Sequence, residues 1–139
     1  MATGSAALRF TAEGVQIYVC AAAEGFFTWR LKGPDATLFD AAGRAVGSHF
    51  AGPTWQGADG SAVVGEVVAN SPAPRDDAIP WLLLRAVSHR GDGIFSKVNY
   101  ILRVETSGGL APQSGCAESF AGSERRVPYR AAYLFFHGK

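Results

Sequence analysis

Apolar and polar side chains alternate along much of this chain, and the alternation predicts strands. Val15-Gln16-Ile17-Tyr18-Val19-Cys20 interleaves β-branched and aromatic residues with a period of two, against helix preference. Residues 26–31 repeat the pattern after an alanine-rich bend. Residues 36–39 and 45–50 flank Asp40-Ala41-Ala42-Gly43-Arg44, which reads as a hairpin turn with Gly43 at positive φ. Residues 61–68 form another strand, and 81–87 a more continuously apolar one. Gly91-Asp92-Gly93 marks a tight turn. Residues 95–106 then alternate at length, with Phe95, Ile101 and Arg103 on one face and Val98, Tyr100, Leu102 and Val104 on the other, apolar face. Residues 129–136 close the chain with four aromatics, Tyr129, Tyr133, Phe135 and Phe136.

About eight strands separated by Gly/Pro-rich connections predict an all-β fold, an antiparallel β-sandwich or flattened barrel. No helical periodicity lasts three turns, which argues against a crossover α/β fold. Residues 1–139 read as a single domain, with 1–8 as a flexible N-terminal segment. Two connections are long and irregular, 70–77 and 108–126. Loops of that length in a compact domain are functional or stapled in place.

Composition narrows the classes of function. Hydrophobic residues make up 47% and charged residues 18%, a globular balance. The net charge is +1, from 13 basic and 12 acidic residues, which excludes the basic excess of a nucleic-acid binder. No apolar run approaches the roughly 20 residues of a membrane-spanning helix. Met1-Ala2-Thr3-Gly4-Ser5 lacks the basic and apolar regions of a signal peptide. The two cysteines, Cys20 and Cys116, are 96 residues apart, too isolated for a zinc ribbon or a C-x-x-C pair. One disulfide in an exported protein and two buried free thiols both fit that count.

The ordered runs V-Q-I-Y-V-C (15–20), H-F-A-G-P-T-W-Q-G-A-D-G-S (49–61), A-I-P-W-L-L-L (78–84), Y-I-L-R-V-E-T-S-G-G-L-A-P (100–112), G-C (115–116) and V-P-Y-R-A-A-Y-L-F-F (127–136) resemble the DUF3455 family of bacterial and fungal proteins of unknown function. The resemblance spans nearly the whole chain. It departs at Leu102, where a glutamine would precede Arg103. It implies an exported, mature chain, secreted or periplasmic, with a disulfide between Cys20 and Cys116. It implies no reaction.

Candidate chemistry gathers at residues 47–61. His49 has no histidine within five residues, so it lacks the short-spaced partners of a metal site, and no metal or cofactor is expected. Its alternative role is to fix the loop by bonding a backbone carbonyl. Asp59-Gly60-Ser61 with His49 invites a Ser-His-Asp reading. Against it, Ser61 is outside a G-x-S-x-G elbow, and D-G-S before a strand is a common turn. Trp55 follows Gly52-Pro53-Thr54 and reads as either a ligand platform or a loop plug. Trp81 reads as core. Arg103, amid an apolar sheet, suits a ligand carboxylate or a buried ion pair with Asp59 or Glu66.

The leading expectation is an exported, non-catalytic protein that binds a small or oligomeric ligand through Trp55, His49, Asp59 and Arg103. The alternative is a hydrolytic or metal-assisted enzyme using His49, Asp59 and Ser61 as catalytic residues. A structural or oligomeric interaction module is the third reading.

Overall fold

The computed structural model describes residues 7–137. Eight strands follow one another: β1 (Leu8–Ala23), β2 (Phe26–Phe39), β3 (Ala45–Phe50), β4 (Thr54–Gly57), β5 (Ala62–Ser71), β6 (Trp81–Arg90), β7 (Val98–Gly108) and β8 (Glu124–His137). Each pairs antiparallel with the next, and β8 pairs with β1, so one sheet closes in a ring. Every strand thus has a partner on both sides, although β2 before Asp35 and β5 beyond Val64 run past the short β3 and β4. Of the predicted sandwich or flattened barrel, the closed arrangement is the one formed.

The strand count agrees with the sequence pattern, yet several boundaries moved: β1 begins at Leu8 rather than at residue 15, and β8 at Glu124 rather than at residue 129. Residues 31–35 looked like a break but continue β2: Gly33 and Pro34 pair with Ile17 and Gln16, and Lys32 is the extra residue of a register irregularity opposite Ile17/Tyr18. Proline has no ladder donor and is tolerated beside such irregularities. The connection after the predicted strand 45–50 looked irregular up to residue 61 but contains a turn at Ala51-Gly52-Pro53 and all of β4. Of the N-terminal segment 1–8, residues 1–6 lie outside the described residues. Leu8 already belongs to β1, and the Ala7 amide donates to Phe135 O at 2.8 Å.

From Tyr100 onward the faces of β7 are the reverse of the expected ones. Val98, Ile101 and Arg103 are buried, while Tyr100 is exposed. An irregularity between Val98 and Tyr100 switches the parity of the strand. A second one before Ser107, with Glu105 at φ 51°, turns Thr106 inward. Trp81 is only half-buried and stands outside the core that was expected to include it.

Aromatic and aliphatic side chains fill one half of the ring: Phe10, Leu38, Val63, Phe95, Ile101 and Phe135 are all buried there. Phe95 and Phe135 rings lie 4.9 Å apart, and Phe10 meets Phe95 edge-on at 6.2 Å. Burying each such side chain contributes about 1.5–3 kcal/mol. Toward the other end the inward positions become polar: Gln16 on β1, His49 on β3, Arg103 on β7. There the β5–β6 connection folds back over the ring. Thr106 Oγ1 donates to Ile79 O at 2.6 Å, and the Ile79 amide donates to Gly108 O at 3.0 Å.

Cys20 and Cys116 form a disulfide, with Cα atoms 5.4 Å apart, and no cysteine is free. The free-thiol reading is thereby overturned. The bridge holds the long β7–β8 connection against β1, where the Gly122 amide also donates to Cys20 O at 2.8 Å.

Candidate functional site

The sequence candidates divide between opposite ends of the ring. Asp59 and Ser61 lie in the turn between β4 and β5, at the end filled by the apolar core. Ser61 Oγ donates to Asp59 Oδ1 at 2.7 Å and accepts the Phe95 amide at 3.2 Å. Asp59 also accepts the amides of Ser61 at 3.0 Å and Ile94 at 2.9 Å. The Ile94 amide does most to hold its carboxyl below the usual range, followed by the Ser61 hydroxyl. Gly93, at φ 155°, makes this possible: a Cβ there would collide with the Asp59 carboxylate. The pair therefore ties the β4–β5 turn to the β6–β7 turn.

Replacing Ser61 with alanine would leave the buried Phe95 amide without its acceptor. The expected cost is about 1–3 kcal/mol of unfolding free energy, read as a lower midpoint in urea. An unchanged midpoint would mean that the turn stands without this hydroxyl.

His49, Trp55 and Arg103 meet in the other half. His49 and Trp55 are direct cross-strand partners on β3 and β4, and their rings stack at 4.5 Å with planes 17° apart. Both point inward and are buried. Gly65 on β5 makes room: a Cβ there would sit 3.3 Å from Trp55 Cζ3. His49 Nδ1 lies 2.8 Å from Thr54 O. A carbonyl only accepts, so Nδ1 carries the hydrogen. Nε2 then accepts from the Tyr133 hydroxyl at 3.2 Å, and Tyr133 accepts from Tyr129 at 3.2 Å.

Burial lowers the His49 pKa to about 3; the Thr54 bond opposes this and the nearby Arg103 charge adds to it. The imidazole is therefore neutral at physiological pH. Both its nitrogens are engaged, and so weak a base is poorly matched to proton transfer near neutrality.

Arg103 sits opposite Leu82 on one side and Tyr133 on the other. Its Nε and Nη2 donate to Pro80 O at 3.1 and 2.9 Å, anchoring the β5–β6 connection. The carboxylates considered as its partners are engaged elsewhere, Glu66 with Arg85 and Asp59 in its turn. Among the described residues no ion pair neutralises Arg103.

Between these groups lies a pocket of about 270 Å³. Gln16, His49, Trp55, Arg103 and Tyr133 line its inner part. Gln16 Oε1 and Trp55 Nε1 are buried and have no hydrogen-bond partner. Gln16 and Tyr133 were not among the sequence candidates. The signal for Gln16 was present: it shares the parity of Phe10, Ala12, Tyr18 and Cys20, the inward residues of β1, and is the polar member of that set.

Ring closure and pocket together define a small antiparallel β protein with a polar, aromatic-walled recess in one half of an otherwise packed interior. Eight-stranded closed sheets are wide enough to be filled by side chains or to hold one small ligand. The model of the family described as "Protein of unknown function (DUF3455)" matches residues 1–137, and the chain belongs to that family. No curated protein and no solved structure matches the chain. No helix among the described residues is long and apolar enough to cross a membrane.

Proposed function

We propose that the chain is a single-domain, exported, non-catalytic protein that binds a small molecule in the recess lined by His49, Trp55 and Arg103. The observation that carries this reading is the pair of unpartnered polar atoms, Gln16 Oε1 and Trp55 Nε1, on residues that line one cavity. Buried polar groups in folded proteins nearly always have partners, and an orphaned pair beside a cavity marks where a ligand's groups fit. The disulfide supports an extracytoplasmic site of action, because such bonds persist in oxidising compartments. The sequence reading had Asp59 among the ligand contacts. Its bonds to Ser61 and Ile94 support a structural role instead.

A fragment screen by protein NMR, using sugars, aromatics and organic acids, tests the proposal. Amide shifts are expected to cluster around residues 16, 49, 55 and 103, and Trp55→Phe should weaken the hits while preserving the fold. Hits that map elsewhere, or that ignore Trp55, would sink the reading.

A further inference from the structure

We propose that the pocket takes a monocarboxylic acid with an apolar body, its carboxylate docked on Arg103; this rests on the ligand-binding reading above. The starting point is the charge. Arg103 is only 9% exposed, and its partner in the fold is a neutral carbonyl. A buried cation without a counter-charge is unfavourable, and an anionic ligand offsets that penalty. The guanidinium carries five N–H groups, of which the Pro80 carbonyl engages two. Its planar fork matches a carboxylate.

The surroundings specify the acid further. No Asp or Glu lines the pocket among the described residues, so nothing there repels an anion. Lys32, at the rim, is paired with Glu124 at 2.7 Å. One unneutralised charge therefore remains, which suits a monoanion better than a phosphate dianion. The Tyr129 and Tyr133 hydroxyl hydrogens are committed along the chain that ends at His49. Trp55 Nε1–H remains as a donor for the head; Gln16 Oε1 only accepts, so Gln16 joins it with its side-chain amide turned to present Nε2–H. Leu82 and Leu84 wall the cavity, while Leu31 and Val67 at its rim are 50% and 49% exposed. An acid head at the floor thus leaves its apolar body against aliphatic surface. At about 270 Å³ the space is below the roughly 300–1,000 Å³ of drug-sized sites, which limits the body to one ring or a short chain.

The test pairs each acid with its neutral isostere: benzoate with benzamide, phenylacetate with phenylacetamide, and hexanoate with hexanamide. Binding to the wild-type protein is followed by NMR titration. The acids are expected to bind at least about tenfold more tightly than the amides, with shifts around residues 16, 55 and 103. Arg103→Lys keeps the charge but loses the fork, and should weaken the acids by about tenfold while thermal unfolding verifies that the variant is folded. Amides binding as well as acids, or acid affinity unchanged in folded Arg103→Lys, would overturn the anion assignment and leave the pocket reading standing. Saturation by inorganic phosphate in preference to the acids would overturn the monocarboxylate class. If neither acids nor amides shift the pocket residues while other fragments do, the carboxylate proposal fails alone. If no fragment of any class shifts them, both proposals fail. The wild-type comparison needs no variant, so a poorly folded Arg103→Lys does not remove the test.

Discussion

Lowering the pH from 7 to 4.5 is expected to cost this protein about 2–3 kcal/mol of stability, with His49 as the source. In the unfolded chain this imidazole takes up a proton near its ordinary pKa of 6.5; in the folded chain it does so only at about 3. Between those values the unfolded state binds the extra proton, so stability is complete above about pH 6.5 and falls as the pH drops. The slope approaches about 1.4 kcal/mol per pH unit, for a full loss of about 4–5 kcal/mol by pH 3. Asp40, Asp59 and Asp77 are also held below their ordinary values, so their contribution is lost too as the pH falls further. They stay ionised above about pH 4.5, which leaves His49 visible by itself in the upper window. Urea titrations at half-unit steps from pH 7 to 4.5 measure it. His49→Gln can donate to Thr54 O and accept from Tyr133, so it should lower stability at every pH while flattening the slope. A wild-type midpoint that does not move with pH would mean that His49 takes up its proton as readily in the folded chain as in the unfolded one.

The second large effect concerns the Cys20–Cys116 bridge. Removing it, by Cys20→Ala with Cys116→Ala, is expected to cost about 3–5 kcal/mol, because the bond closes a loop across a sequence separation of 96. The fold should survive the loss. β1 and β8 are paired from Leu8↔Phe135 to Val19↔Glu124, so the bridge stands just beyond the last rung of an intact ladder. The β7–β8 connection also keeps the bond from Trp29 Nε1 to Ser114 O at 2.9 Å, and β8 keeps the Arg125 guanidinium over the Trp29 ring. Chemical denaturation should therefore give a lower midpoint and a steeper dependence on urea, since the uncrosslinked unfolded chain exposes more surface. Equal stability of the oxidised protein and the double variant would show that the cross-link constrains neither state.

These effects share a cause, which is that polar and covalent ties were placed where the apolar core ends. The core half of the ring is stabilised by burial of Phe10, Leu38, Phe95 and Phe135. The pocket half gives up some of that burial for Gln16, His49 and Arg103. The disulfide and the hydrogen bonds around Ile79, Pro80 and Gly108 hold this less apolar half in place.

Local pattern carried a good deal of this. A period of two over 15–20 is a property of neighbouring residues, so the β class, the approximate strand count and the Asp40–Arg44 turn could be read directly from the chain. The stretch 47–61 was singled out, and a carbonyl-bonded His49, the arrangement observed, was among the alternatives weighed. Local pattern misled where a single irregularity reverses parity: at Val98/Tyr100 it exchanged the faces of β7, and Arg103 turned inward with Ile101. It also could not pair distant groups. Asp59 lies ten residues from His49 and looked like its natural partner, yet the β3–β4 hairpin sends the two toward opposite ends of the ring. The actual partner of His49 Nε2 is Tyr133, 84 residues away.

The sequence by itself thus determined the β class and most of the strands, though not β4 or the middle of β2, because strand preference and alternation act between near neighbours. Tertiary structure alone decided that the sheet closes, that Arg103 is buried without a carboxylate, and that Gln16, Trp55 and Arg103 share one cavity. Those outcomes depend on register and closure, which are set by contacts between residues far apart in the chain.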